Sequence, residues 1–97
     1  MTVKPGKEAE YEKRHSPIPD DVHAMLKQHG VHNYGIFLLP STRQLFAYAE
    51  VDTEAGWTTI ASSPVCKRWW KEMSALVDFH EDGTPVVQTL NEVFHMK

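Results

Sequence analysis

Tyr11 and His15 stand at i and i+4 in a charged segment of good helix formers, so they share one helix face. His15 falls at the end of that segment, where the negative end of the helix favours an imidazolium and offsets any burial that favours the neutral ring. Such a histidine trades protons near neutral pH, although a histidine that only caps the last carbonyls has the same spacing. Trp69 and Trp70 are adjacent, and neighbours on a helix lie about 100° apart, so both cannot sit at the centre of one core-facing stripe. Trp69 aligns with Val65, Met73 and Leu76, and Trp70 with Cys66 and Val77, so either one indole packs the core while the other borders a cleft or subunit contact, or both fill space over a wide apolar face. An indole beside a cleft suits a sugar, whose C–H face lies on aromatic rings. Tyr34 precedes Gly35 on an apolar stretch, where the missing side chain lets a ligand or another strand approach. An ordinary half-buried strand tyrosine fits as well. Cys66 near a helix start is open to thiolate chemistry or to service as a small buried hydrophobe. The six histidines, at 15, 23, 29, 32, 80 and 95, include no HExxH pair and no cysteine at zinc spacing, so neither metal nor cofactor is expected.

The elements that must hold these groups follow from local signals. Glu8 to Arg14 reads as a helix that stops near His15, ahead of Ser16-Pro17. Pro19 to His29 reads as a second, with Asp20 and Asp21 at its start, a stripe of Val22, Met25 and Leu26, and Gly30 after its end. Val31 to Leu39 and Leu45 to Val51 are rich in β-branched and aromatic residues, and the Pro40-Ser41-Thr42-Arg43 turn makes them a hairpin. Both faces of that hairpin are apolar. Helices cover one, and the simplest cover for the other is a second subunit's sheet. Asp52 or Thr53 caps a short helix through Trp57 and Ile60, Ser63-Pro64 opens a helix to about Val77, and Val86 to Met96 alternates as a closing strand. With Met1 to Val3 as a short first strand, the order predicts an α+β fold of the ferredoxin-like βαββαβ type, with helices on one face of an antiparallel sheet.

The composition bounds the function. A chain of 97 residues, 41% hydrophobic and 24% charged, fits a single domain over 1–97. Its formal net charge of −3 offers no basic surface for nucleic acid. No apolar run approaches the roughly 20 residues of a membrane span, the first residues lack a secretory pattern, and one cysteine forms no internal disulfide. The expected location is the cytoplasm.

Four segments then point to a family. Glu10-Tyr11-Glu12-Lys13-Arg14-His15-Ser16-Pro17-Ile18, His29-Gly30-Val31-His32-Asn33-Tyr34, Val65-Cys66-Lys67-Arg68-Trp69-Trp70-Lys71 and Leu90-Asn91-Glu92-Val93-Phe94 follow in order through nearly the whole chain. Together they resemble the L-rhamnose mutarotases. The resemblance implies a homodimeric α+β barrel of face-to-face sheets and interconversion of the α and β anomers of L-rhamnose. It further implies His15 as the proton donor, with Tyr11, Tyr34, Trp69 and Trp70 contacting the sugar. The base partner stays open among Tyr34, Tyr11 and water. Family members carry a longer first strand, and an aromatic residue where this chain has Ile18-Pro19-Asp20, so the pocket wall near His15 differs. The competing expectation is a non-catalytic sugar-binding or dimerisation domain on the same scaffold. A small monooxygenase of similar architecture fits the His15, Tyr11 and tryptophan set less well.

Overall fold

The computed structural model describes residues 1–96, and within them the chain forms four helices and one antiparallel two-stranded sheet. The first helix, α1 (Glu8–Arg14), ends at His15, and the Ser16-Pro17 peptide bond beyond it is cis. The second, α2 (Asp20–Gln28), buries Val22 and Met25. Gly30 follows with φ +82°, a left-handed turn that brings its α-carbon close to the Asp52 side chain. Strands β1 (Val31–Leu39) and β2 (Gln44–Val51) pair across the 40–43 turn, with an irregularity between Val31 and Tyr34. A short helix α3 (Glu54–Thr59) is capped by Thr53, whose hydroxyl accepts from Gly56 N at 2.9 Å. After a 3-10 turn at Ile60–Ser62, α4 (Pro64–Met73) starts with proline in its first turn behind the Ser63 cap.

Register decides which side chains face the helices. Tyr34, Ile36 and Leu38 pair with Ala49, Ala47 and Leu45 on the inner face. Leu45 is buried there with Val3, Met73, Leu76 and Val77, and Ile36 and Tyr11 pack against that cluster. A second cluster of Val22, Met25, Val31, Ile60 and Cys66 joins α2 to α4, and Trp69 touches both. An ion pair between Arg68 of α4 and Asp21 of α2 spans the same two helices at the surface. On the outer face Phe37, Phe46 and Tyr48 have no cover from the described residues: Phe37 is 64% and Tyr48 56% exposed.

The chain's first residues are held firmly despite their brevity. Thr2 bridges to Gln44 and Val3 to Val77, both antiparallel. Backbone hydrogen bonds run from Leu45 N to Met1 O at 2.7 Å and from Val3 N to Arg43 O at 2.9 Å. On the other side they run from Lys4 N to Leu76 O at 2.8 Å and from Asp78 N to Thr2 O at 3.1 Å. Residues 1–4 therefore lie between β2 and the segment around Val77.

Two expected elements differ. The helix expected to run to about Val77 stops at Met73, because Val77 leaves it to pair with Val3. The strand expected over Val86 to Met96 does not form: Phe79 bridges Pro85, and beyond that residues 86–96 hold no regular structure. Val93 in this stretch is 94% exposed. No helix of the described residues is long and apolar enough to cross a membrane.

Candidate functional site

The last turn of α1 presents His15 against two aromatic rings. The Tyr11 ring stacks on it with centroids 4.2 Å apart and planes 29° from parallel, and the Trp69 indole meets it edge-on at 5.3 Å and 74°. His15 Nδ1 lies 2.7 Å from the Tyr11 carbonyl oxygen. A carbonyl only accepts, so Nδ1 carries the hydrogen, and the neutral ring keeps its lone pair on Nε2. The same bond recurs where His29 Nδ1 reaches the Met25 carbonyl at 2.8 Å beyond α2. The bond itself is thus a capping device, and the aromatic enclosure is what sets His15 apart.

That enclosure decides the proton. Burial pushes the His15 pKa below its ordinary 6.5, and the bond to the Tyr11 carbonyl opposes the shift without reversing it. The expectation that the helix end would hold the charged form is therefore corrected, since desolvation outweighs it. Tyr11 is pushed up to about 12, first by burial and then by the neighbouring Tyr34 phenol. Tyr34 is raised as well, by burial and then by Cys66. Both phenols stay protonated at neutral pH and act as hydrogen-bond donors there.

Beside Tyr34 the inner face of the sheet opens into a hollow of about 240 Å³ lined by Tyr34, Ala47, Ala49, Val51 and Trp57. The Trp57 indole stands with its ring centroid 6.1 Å from that of Tyr34. Sequence reasoning missed Trp57 and the two alanines as site residues. The signal was available, because alanine is a poor strand former and two of them at alternate inward positions leave space that larger residues would fill.

The position of Trp57 depends on Gly56, where a β-carbon would stand 2.6 Å from the His29 carbonyl oxygen. That oxygen belongs to backbone and cannot swing aside. Gly56→Ala is expected to destabilise the protein by about 1–3 kcal/mol, exceeding the gain in helix propensity, and to shift the Trp57 emission. Denaturant titration followed by indole fluorescence measures both. An unchanged midpoint and spectrum would show that α3 does not need this close approach.

The expected site residues do not all converge. Tyr11, His15 and Trp69 form one cluster, Tyr34 stands with Trp57 at the first hollow, and Trp70 borders a separate hollow of about 510 Å³ with Lys67, Lys71 and Asp82. Of the two indoles, Trp69 packs against both core clusters, while Trp70 packs against the α2–α4 cluster and reaches the second hollow. Cys66 is buried, and its thiol is pushed up to about 11 by that burial, so it behaves as a small hydrophobe. Among the described residues no three His, Cys, Asp or Glu side chains gather into a possible metal site.

A protonatable imidazole enclosed by aromatic rings on a small α+β scaffold fits acid–base isomerisation, and the relatives of this chain make it an isomerase-type enzyme of the carbohydrate mutarotase class. The sequence model for L-rhamnose mutarotase matches residues 1–96, and the chain belongs to that family. An L-rhamnose mutarotase from Opitutus terrae is 53% identical over 96 residues, covering 99% of this chain and 92% of the relative. One from Oceanobacillus iheyensis is 47% identical with the same coverage. The crystal structure of an L-rhamnose mutarotase from Formosa agariphila superposes with a TM-score of 0.89 at 31% identity, covering 100% of this chain and 93% of that one.

Proposed function

We propose that this chain interconverts the α and β anomers of L-rhamnose, with His15 as the group that carries the proton. The observation that supports this assignment best is the enclosure of a neutral, Nδ1-anchored imidazole by Tyr11 and Trp69. His15 Nε2 takes the proton of the anomeric hydroxyl. The electron pair left on O1 forms the aldehyde C=O, and the C1–O5 pair departs onto O5. The phenols of Tyr11 and Tyr34 donate hydrogen bonds to the developing charge, and the imidazolium returns its proton to O5. Rotation about C1–C2 and the reverse sequence close the opposite anomer. The tautomer and the lowered pKa thus reverse the order expected from sequence: His15 begins as the base and ends as the acid, and neither phenol serves as a base. Trp69 holds the apolar face of the sugar beside His15, and Trp70, which faces the separate hollow, supports the helix that carries Trp69. Saturation transfer between the anomeric protons of L-rhamnose is the direct test. Exchange at the buffer rate would reject the enzyme and leave the sugar-binding alternative.

The pH profile separates the two orders. After subtraction of the buffer rate, activity is expected to be level at pH 7–8 and to fall at lower pH with a midpoint below 6.5. A profile that instead falls as pH rises through this region would make the imidazolium the starting form.

The reading extends to the assembly. The ladder order, with residues 1–4 between β2 and the segment around Val77, supports a ferredoxin-like arrangement of a single domain over 1–97. The uncovered Phe37, Phe46 and Tyr48 support a homodimer joined through that sheet face, in the manner of an α+β barrel. Light scattering is expected to give twice the chain mass at micromolar concentration, and Phe46→Glu with Tyr48→Glu to give the monomer. A parent that is monomeric there would remove the dimer. The lone buried thiol supports a cytoplasmic setting.

A further inference from the structure

The geometry points to the hollow beneath Trp57 as the receptor for the C5 methyl group of the sugar, which makes Trp57 and Ala49 specificity-determining residues. This inference rests on the proposed reaction and adds the basis of its substrate choice. Three observations on separate elements converge. The floor is built from Ala47, Ala49 and Val51, whose side chains are carbon alone, so nothing there satisfies a buried hydroxyl. The walls are the Trp57 indole from α3 and the Tyr34 ring from β1, with centroids 6.1 Å apart. Tyr34 shares its sheet face with Ile36, and Ile36 packs against the same core cluster as Tyr11, which stacks on His15, so one face of the sheet carries the hollow toward the reacting group. In a pyranose C5 is bonded to O5 and carries the methyl group, which therefore stands two bonds from the ring oxygen that His15 serves.

A 6-deoxy sugar buries only carbon and hydrogen in such a hollow. Its 6-hydroxy counterpart must strip water from a hydroxyl that the carbon floor of Ala47, Ala49 and Val51 does not satisfy. A pentose lacking C6 leaves the space empty. These three substrates exist as L-rhamnose, L-mannose and L-lyxose, which share the configuration of the ring carbons.

The experiment measures kcat/KM for anomer exchange on all three sugars by saturation transfer, with the intact protein, Trp57→Ala, Trp57→Phe and Ala49→Leu. The parent is expected to prefer L-rhamnose over each of the others by about 10–100-fold. Trp57→Ala should lower the L-rhamnose value most and narrow both ratios. Trp57→Phe, which keeps an aromatic wall and the packing of α3, should keep most of the preference. Ala49→Leu narrows the hollow at its floor and should cost L-rhamnose more than L-lyxose, which has no C6 to displace. A parent that exchanges L-rhamnose but treats the three sugars alike would overturn the receptor while leaving the reaction in place. Equal losses on all three sugars in both Trp57→Ala and Ala49→Leu would also overturn it, assigning those residues to the scaffold. A parent inactive on every sugar would remove the reaction and the receptor together.

Discussion

His15→Ala is expected to lower enzymatic anomer exchange on L-rhamnose by about 10²–10⁴-fold, the usual contribution of a positioned proton carrier. Folding should survive, because the imidazole is half-buried and its one protein hydrogen bond caps a carbonyl at the end of a short surface helix. Losing that bond costs about 1 kcal/mol, which circular dichroism during thermal melting would register as a small fall in midpoint. His15→Gln makes the comparison sharper. Glutamine can offer the Tyr11 carbonyl an N–H donor, but it has no group that titrates near neutrality. It should therefore retain stability while remaining as inactive as alanine. Activity within threefold of the parent in both variants would transfer the proton to Tyr11, Tyr34 or water and leave His15 as a cap like His29.

Local signals in the sequence found the second helix to within one residue of its start at Asp20, the helix start at Pro64 behind its Ser63 cap, the α3 cap as Asp52 or Thr53, and the hairpin, because each depends on neighbours along the chain. They also found the i, i+4 meeting of Tyr11 and His15. What they missed depends on distant neighbours. The helical stripe through Met73 and Leu76 continues past the true helix end, and only the Val3 backbone, far away in sequence, stops it there. Protonation was misjudged for a related reason: the helix end is visible in the sequence, whereas the Trp69 indole that helps desolvate His15 arrives from α4. Trp57 enters the hollow only because α3 is drawn against His29 at Gly56.

The second large effect concerns the ladder that holds residues 1–4. Val3 and Val77 are 1% and 0% exposed and face each other across an isolated bridge at the centre of the Leu45, Met73 and Leu76 cluster. Val77→Asp would place a carboxylate among these side chains, with no buried cation among the described residues to receive it. An unpaired polar group there costs several kcal/mol, against a total stability of about 5–15 kcal/mol for a domain of this kind. The variant is expected to lose its cooperative unfolding transition at neutral pH. Val77→Ala removes two methyl groups and should lower stability by about 2 kcal/mol with an unchanged denaturant slope. The graded pair tests whether so brief a first segment is part of the core. If residues 1–4 were only laid on the surface, water would reach the carboxylate, and Val77→Asp would unfold at nearly the parent's midpoint. If they close the core, the aspartate variant fails while the alanine variant still folds. His15 is then affected indirectly, because Tyr11 packs on this same cluster and carries the carbonyl that anchors its imidazole.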